Sequence, residues 1–309
     1  MSEIVTNENK KLVLASGRAH PELAEEIAEH LGTELLPLDA YDFANGETYV
    51  RPSQSVRGKD VFILQSHPAP MNNWVMEQLL LCDAMKRASA RRITVVSPFY
   101  PYARQDKKGR GREPISARMI ADLYQATGAN RIMTMDLHTS QIQGFFDGPV
   151  NIHNVTVVSP DTGRVRVAEQ WADRLGGAPL AFVHKSRDLS QPNKAESKTV
   201  VGQIEGRTCV LIDDMIDTGG TIAGAVKILR DAGAAEVIIA ATHAVFSDPA
   251  AERLANSGAS EVVVTNTLPL PEEKRFDNLT VLSVAPVLAN AIREVFEDGS
   301  VTSLFDGNV

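Results

Sequence analysis

TCVLIDDMIDTGGTIAGAVKILRDAGA, residues 208–234, passes through three kinds of chain in succession. A β-branched apolar run comes first and a turn around Gly219 and Gly220 follows. A stretch then places Ile222, Val226 and Leu229 at helical spacing. A buried strand that turns straight into a helix is the first half of a βαβ unit, so the stretch predicts a parallel sheet with helical crossovers. The rest of the chain repeats the pattern. Runs such as KLVLAS (11–16), DVFILQS (60–66), RITVVSP (92–98), RIMTMDLH (131–138), VTVVSPD (155–161), PLAFVHK (179–185), EVIIAATH (236–243) and EVVVTNT (261–267) read as strands. Helical patterns lie between most of them, as in PELAEEIAEHLG and ISARMIADLYQATGA.

So many strands exceed one small doubly wound sheet, and VVSPF and VVSPD occur in different halves of the chain. Two related α/β domains are expected, 1–148 and 149–285, divided where FFDGPVNIHN loses its periodicity near Gly148 and Pro149. A closing helix within 286–309 has Val287, Leu288, Ala291, Ile292, Val295 and Phe296 on one face and is expected to fold back on the first domain. Asn45-Gly46 in FANGETYV interrupts the pattern with a hairpin turn.

The 309 residues carry 31 Lys and Arg against 39 Asp and Glu, a formal charge of -8, which argues against a duplex DNA binder or a polybasic membrane-surface protein. Cys82 and Cys209 lie far apart and outside any zinc-like spacing, as expected of thiols in a reducing compartment. The first 15 residues lack a signal-peptide pattern and no window is apolar enough to span a bilayer, so a soluble, cytoplasmic protein is expected.

Three carboxylates beside a glycine turn need a reason. Backbone N–H groups at a strand-to-helix turn face the positive end of the helix, where a phosphate binds, and Thr218 and Thr221 add hydroxyl donors. Asp213 and Asp214, read as the end of the strand, can accept hydrogen bonds from vicinal sugar hydroxyls. Together they read as a cradle for ribose 5-phosphate. The plainer alternative is a helix cap by Asp217 or Thr218, with the other acids facing water.

Further on, FYPYARQDKKGRGREPISAR (99–118) holds five basic residues from Arg104 to Arg112, loosened by Gly109 and Gly111, enough to close over a polyphosphate or simply to remain solvated. His138 follows a strand in MTMDLHTSQIQGFFDGPV (133–150), where it can ligate a cation, lie near phosphates, or serve structure alone. In VHKSRDLSQPNKAE (183–196), Lys185 and Arg187 stand at i and i+2 and share a side of an extended chain.

These phrases carry a resemblance. The turn is similar to the phosphoribosyl diphosphate loop of type I phosphoribosyltransferases and of the ribose-phosphate diphosphokinase (PRPP synthetase) family. YARQDKK with REPISA resembles the mobile ATP loop of the diphosphokinases, and DLH with QIQGFFD matches them almost letter for letter. The resemblance runs from the hairpin through PEEKRF (271–276) to SVTSLF (300–305), and VSPDTGRVRVAEQWADRLGG with FSDPAAERLA looks closest to the actinobacterial form.

The resemblance implies two similar type I phosphoribosyltransferase-like domains, each a mostly parallel sheet flanked by helices. It also implies transfer of the diphosphoryl group of ATP to the C1 hydroxyl of ribose 5-phosphate, serving nucleotide, histidine and tryptophan biosynthesis. ATP is then the co-substrate with Mg2+, which His138 and Asp161 would help to hold. Phe43 would stack on adenine, Asn45 and Glu47 beside Gly46 would read its edge, and Arg104 and Gln105 would approach the same nucleotide. Lys185, Arg187 and Arg104 would stabilise charge. Arg187, Asp213, Asp214, Asp217, Thr218, Gly219, Gly220 and Thr221 would bind the sugar phosphate.

A homohexamer with its ATP site at a subunit contact is also implied, with phosphate and ADP as effectors and Gln143 and Ser300 near the regulatory site. Three departures stand out: NIHN where the family has a longer junction, Asn45 where many relatives have Asp, and Gly109 in the basic loop. A type I phosphoribosyltransferase, or a non-catalytic paralogue that restrains an active partner, would share the turn. Only the diphosphokinase accounts for the ATP loop.

Overall fold

The computed structural model describes residues 10–139, 150–153, 160, 168, 179–186, 197–202 and 204–301. The chain forms two compact units, one of Met1–Asn154 with Val284–Val309 and the other of Val155–Ser283. In the first, strands β1 (Leu12–Ser16), β4 (Asp60–Leu64), β5 (Arg92–Ser97), β6 (Arg131–Met135) and β7 (Val150–His153) form one parallel sheet in that order. Asn151 and His153, in the short junction, thus pair with Met133 and Met135 as an edge strand.

The strands of this sheet are apolar at successive positions because both faces are covered. Val13, Val61, Ile63, Ile93, Val95 and Ile132 join one core with helices α2 (Met71–Arg87) and α3 (Ser116–Thr127). Leu14, Phe62, Leu64, Val96, Met133 and Met135 alternate to the other core, under α1 (Pro21–Leu31). That second core also contains Leu288, Ala291, Ile292 and Val295 of a helix from the far end of the chain, Ala285–Phe296, while Val287 and Phe296 pack at its margin.

The predicted hairpin is an antiparallel ribbon of β2 (Leu38–Asp42) and β3 (Thr48–Pro52), with Tyr41 opposite Tyr49. Gly46 takes φ 88° at its tip, a left-handed conformation that glycine adopts without steric cost.

The second unit has its own parallel sheet, β10 (Thr208–Ile216), β11 (Glu236–Ala244), β12 (Glu261–Thr265) and β13 (Leu279–Leu282), and its own antiparallel ribbon, β8 (Phe182–Ser186) with β9 (Ser197–Val201). Helices α4 (Gly220–Asp231) and α5 (Ala250–Ala255) cover the sheet through Ile222, Val226, Leu229 and Leu254. The helix Ala285–Phe296 of the first unit is α6 in chain order. Both units are therefore α/β, each a parallel sheet with helices and a small ribbon. The strand expected at 155–161 lies outside the described residues. No described helix is long and apolar enough to cross a membrane.

Candidate active site

The glycine turn sits on a longer strand than its sequence suggests. β10 does not stop at Asp213 and Asp214 but continues to Ile216, because β11 is equally long and pairs Met215 with His243 and Ile216 with Ala244. Both acids are therefore strand residues. Asp214 is 1% exposed and Asp213 half-buried, with the Asp213 carboxylate accepting from the backbone N–H of Asp214 at 3.0 Å. The half-buried Asp217 and the exposed Thr218 then lead to Gly219, whose φ of 71° lies in the left-handed region.

Gly219 is the N-cap of α4 and has no side chain with which to cap it. The N-cap position thus falls on Gly219 rather than on Asp217 or Thr218, at the positive end of the helix. Arg253 braces the turn by donating to the carbonyl of Thr218 at 2.9 Å. Gly219 packs close to Ala250, and Thr221 faces solvent one residue into the helix.

In the first unit, the basic segment is a set of turns with fixed ends. Asp106 is buried and accepts from the Thr139 hydroxyl at 2.6 Å, tying the segment to the chain just past β6. The Glu113 carboxylate accepts from the backbone N–H groups of Gly109 and Arg110 at 2.8 and 2.7 Å, closing the Gly109 turn. Gln105 accepts from the Ser116 hydroxyl at 2.6 Å through its side chain and from the Ala117 N–H at 3.1 Å through its carbonyl. Arg104 is exposed beside it. Past the end of β6, Asp136 is buried with φ 40°, and His138 is half-buried two residues later. A non-glycine residue held in that region marks backbone constrained by its surroundings.

Beneath the start of the basic segment lies a buried polar cluster. His67 Nδ1 is 3.2 Å from the carbonyl of Phe99, which can only accept, so the ring proton is assigned to Nδ1. Ser97 donates to the same carbonyl at 3.0 Å. Tyr124 donates to Gln78 Oε1 at 2.6 Å, and Gln78 Nε2 donates to the carbonyl of Ile63 at 3.1 Å. Burial holds the His67 pKa down to about 4, against the opposing effect of the Phe99 carbonyl, so the ring is neutral at physiological pH.

The hairpin tip is exposed and aromatic. Phe43 meets Tyr41 edge-on at 5.4 Å and Tyr49 at 6.2 Å, while the two tyrosines stack at 4.8 Å. Asn45 turns its side-chain oxygen back to accept from the Glu47 N–H at 3.1 Å. A ring held upright on an exposed ribbon suits stacking against a flat partner.

Comparison with known proteins decides the family. The pattern described as the N-terminal domain of ribose phosphate pyrophosphokinase matches residues 12–128, and the phosphoribosyl synthetase-associated domain matches residues 183–306. The chain is 64% identical to the ribose-phosphate pyrophosphokinase of Mycobacterium leprae, over 98% of each chain. The chain belongs to the ribose-phosphate pyrophosphokinase family. It is also 63% identical to the Mycobacterium bovis member over the full length of both. The crystal structure of phosphoribosylpyrophosphate synthetase from Mycobacterium smegmatis superposes with a TM-score of 0.89 at 61% identity, covering 94% of this chain and all of that one.

Set against the pyrophosphokinase family, the expected site residues are unevenly described. Lys185 lies in β8 opposite Lys198. Arg187, Asp161 and Gln143 lie outside the described residues. Phe43, Asn45, Gly46 and Glu47 form one tip, Arg104 and Gln105 are adjacent in the basic segment, and Asp213 through Thr221 form one strand-to-helix turn. Sequence reading missed Asp106, Asp136 and the His67–Gln78–Tyr124 cluster. The aspartates were visible inside YARQDKK and MDLH as acids in basic or apolar company, whereas the cluster joins residues as far apart as 57 positions and leaves no local pattern.

Proposed function

We propose that the chain is a ribose-phosphate diphosphokinase, transferring the diphosphoryl group of ATP to the C1 hydroxyl of ribose 5-phosphate and yielding phosphoribosyl diphosphate and AMP. The observation that carries this reading is the 64% identity to a ribose-phosphate pyrophosphokinase across 98% of both chains. In the reaction the C1 oxygen forms a bond to the β-phosphorus, the bond from that phosphorus to the α,β-bridging oxygen breaks, and the hydroxyl proton is released. AMP leaves with the bridging oxygen. No nucleophilic side chain is needed, so the protein's task is alignment and neutralisation of charge.

Each part then has a task. Thr218, Thr221 and the backbone N–H groups after Gly219 hold the 5-phosphate, with Gly220 keeping the turn open and Asp217 at its edge. Asp213 accepts from the ribose hydroxyls. Asp214, buried beside it in β10, is assigned with it to the sugar's hydroxyls. Phe43 stacks on the adenine, Asn45 and Glu47 read its edge, and Gln105 with Arg104 meets the nucleotide. Lys185, Arg187 and Arg104 neutralise charge that develops on the transferring group.

Magnesium belongs to the same reading. It prefers oxygen ligands, keeps several waters and is usually held by one or two carboxylates with substrate phosphates. Among the described residues no group of three or more His, Cys, Asp or Glu side chains could hold a metal by itself. His138 and Asp161 are its assigned protein neighbours, and the ion supplies charge neutralisation when bound. We further assign the chain to the cytoplasm and to a homohexamer with its ATP site at a subunit contact, responsive to phosphate and ADP.

The test is direct. Incubation with ATP, Mg2+ and ribose 5-phosphate is expected to give equimolar AMP and phosphoribosyl diphosphate. A protein that releases no AMP yet binds ribose 5-phosphate would instead be a non-catalytic paralogue, and one that consumes phosphoribosyl diphosphate with a base would be a phosphoribosyltransferase.

A further inference from the structure

We propose that Arg18 is a positioning residue for ATP, locking the hairpin tip that carries Phe43, Asn45 and Glu47 to the buried Glu77 of helix α2. The inference rests on the assignment of that tip to the adenine in the reaction above. Arg18 stands two residues past the end of β1, and its guanidinium serves two carboxylates at once. On one side, Nε donates to Glu77 Oε2 at 2.7 Å and the backbone N–H donates to Oε1 at 2.7 Å. On the other, Nη2 and Nη1 donate to the two oxygens of Asp42 at 2.7 and 3.2 Å.

The two ends differ in a telling way. Glu77 is 1% exposed and is further held by Gln65, whose Nε2 donates to Oε1 at 3.0 Å, so this end is fixed in the interior. Asp42 is exposed, closes β2, and immediately precedes Phe43. It also accepts from the Thr48 hydroxyl at 2.8 Å, so one carboxylate gathers both strands at the base of the tip. Hydrogen bonds from Arg18 and then Thr48 hold the Asp42 carboxyl below the usual range, so it is ionised wherever the enzyme would work.

The ribbon needs such a tie. Leu38 and Val50 pack on the core at its far end, but an isolated two-stranded ribbon is marginal in water. Among the described residues, Arg18 supplies the hydrogen bonds that join residues 41–48 to the rest of the unit. A planar fork with five donors can span two carboxylates, and the point charge of lysine cannot reproduce that geometry. A displacement of about 1 Å in a binding element can cost up to about 10²-fold in efficiency.

The test compares KM values with kcat. Asp42→Asn leaves the Arg18–Glu77 pair intact and weakens the bridge, and is expected to raise KM for ATP about 3- to 5-fold, the upper scale of an exposed ion pair. KM for ribose 5-phosphate and kcat should stay within about twofold, with an unchanged melting temperature. The double variant Arg18→Gln, Glu77→Gln removes the half-buried cation and the buried carboxylate together and should show the same selective rise, with no further increase when Asp42→Asn is added. Phe43→Ala separates the two claims. If it leaves KM for ATP unchanged, the assignment of the tip to the adenine fails and this inference falls with it. If Phe43→Ala raises that KM while folded Asp42→Asn leaves it unchanged, the assignment stands and the role of Arg18 is overturned.

Discussion

Acidification from pH 7 to pH 5 should destabilise the first unit through one side chain, His67. The ring is 1% exposed and its pKa is lowered from 6.5 to about 4, first by burial. Between those two values the unfolded chain binds a proton that the folded chain refuses, so stability rises with pH across that window and is lost as pH falls through it. Each unit of pKa difference is worth about 1.4 kcal/mol, which gives about 3 kcal/mol over the whole window and about 2 kcal/mol between pH 7 and pH 5. The assay is urea unfolding at a series of pH values in a Trp171→Phe background, where Trp74 in α2 is the remaining tryptophan and reports on the first unit. His67→Gln should be less stable at pH 7, since the Phe99 carbonyl loses its ring donor, but its stability should fall by about 2 kcal/mol less on going to pH 5. Parallel curves for the parent and His67→Gln over that range would refute the reasoning, whatever the carboxylates contribute to both.

Other predictions follow from single contacts. A methyl at Gly17 would lie 2.4 Å from the Gln65 side chain, which is itself held by Glu77 and Ala19, so Gly17→Ala should cost about 1–3 kcal/mol in denaturant unfolding and raise KM for ATP. Cys82 is fully buried with its pKa pushed up to about 12 by burial, so iodoacetamide should leave it unmodified in the native protein at pH 8 and label it on unfolding, as read by peptide mass. Asp60 is buried at the start of β4, where hydrogen bonds from Arg91 and Arg92 outweigh the upward pull of burial and keep its carboxyl below the usual range. Asp60→Asn should lower stability by about 1–3 kcal/mol at pH 7, with the difference from the parent shrinking as pH falls through the Asp60 titration. Lys185→Ala should lower kcat about 10²- to 10³-fold while ribose 5-phosphate binding, measured by calorimetry, persists.

Local patterns were legible where a local cause fixes them. Asn45-Gly46 gave the hairpin because a tight turn needs a left-handed residue at its tip, and Gly46 supplies it. The apolar face of α6 was readable because its contacts with α1 demand helical spacing on that one helix. Misses occurred where a partner decides. β10 was expected to stop at Asp214, but the length of β11 carries it to Ile216, and no residue within β10 records that. β7 and β9 are short edge or ribbon strands with polar residues, so their strand character comes from a neighbour's free ladder positions rather than from their own composition.

The same reasoning explains why the motifs assigned to the nucleotide could be quoted from sequence while their supports could not. Glu77 and Gln78 are consecutive on α2, about 100° apart around the helix axis, so their side chains diverge. Glu77 meets Gln65 and Arg18 and reaches the hairpin. Gln78 meets Ile63 and Tyr124 beneath the segment that begins at Phe99. In the sequence the pair reads as an unremarkable polar step in WVMEQLLL, the kind that usually faces water. Here they are 1% and 0% exposed, and a buried polar group is costly unless its hydrogen bonds are met, as these are. Apolar residues could pack α2 against the sheet more cheaply. Two satisfied polar side chains at adjacent positions set the hairpin and the basic segment from one rigid helix, so a shift of α2 would move together both elements that we assign to the nucleotide.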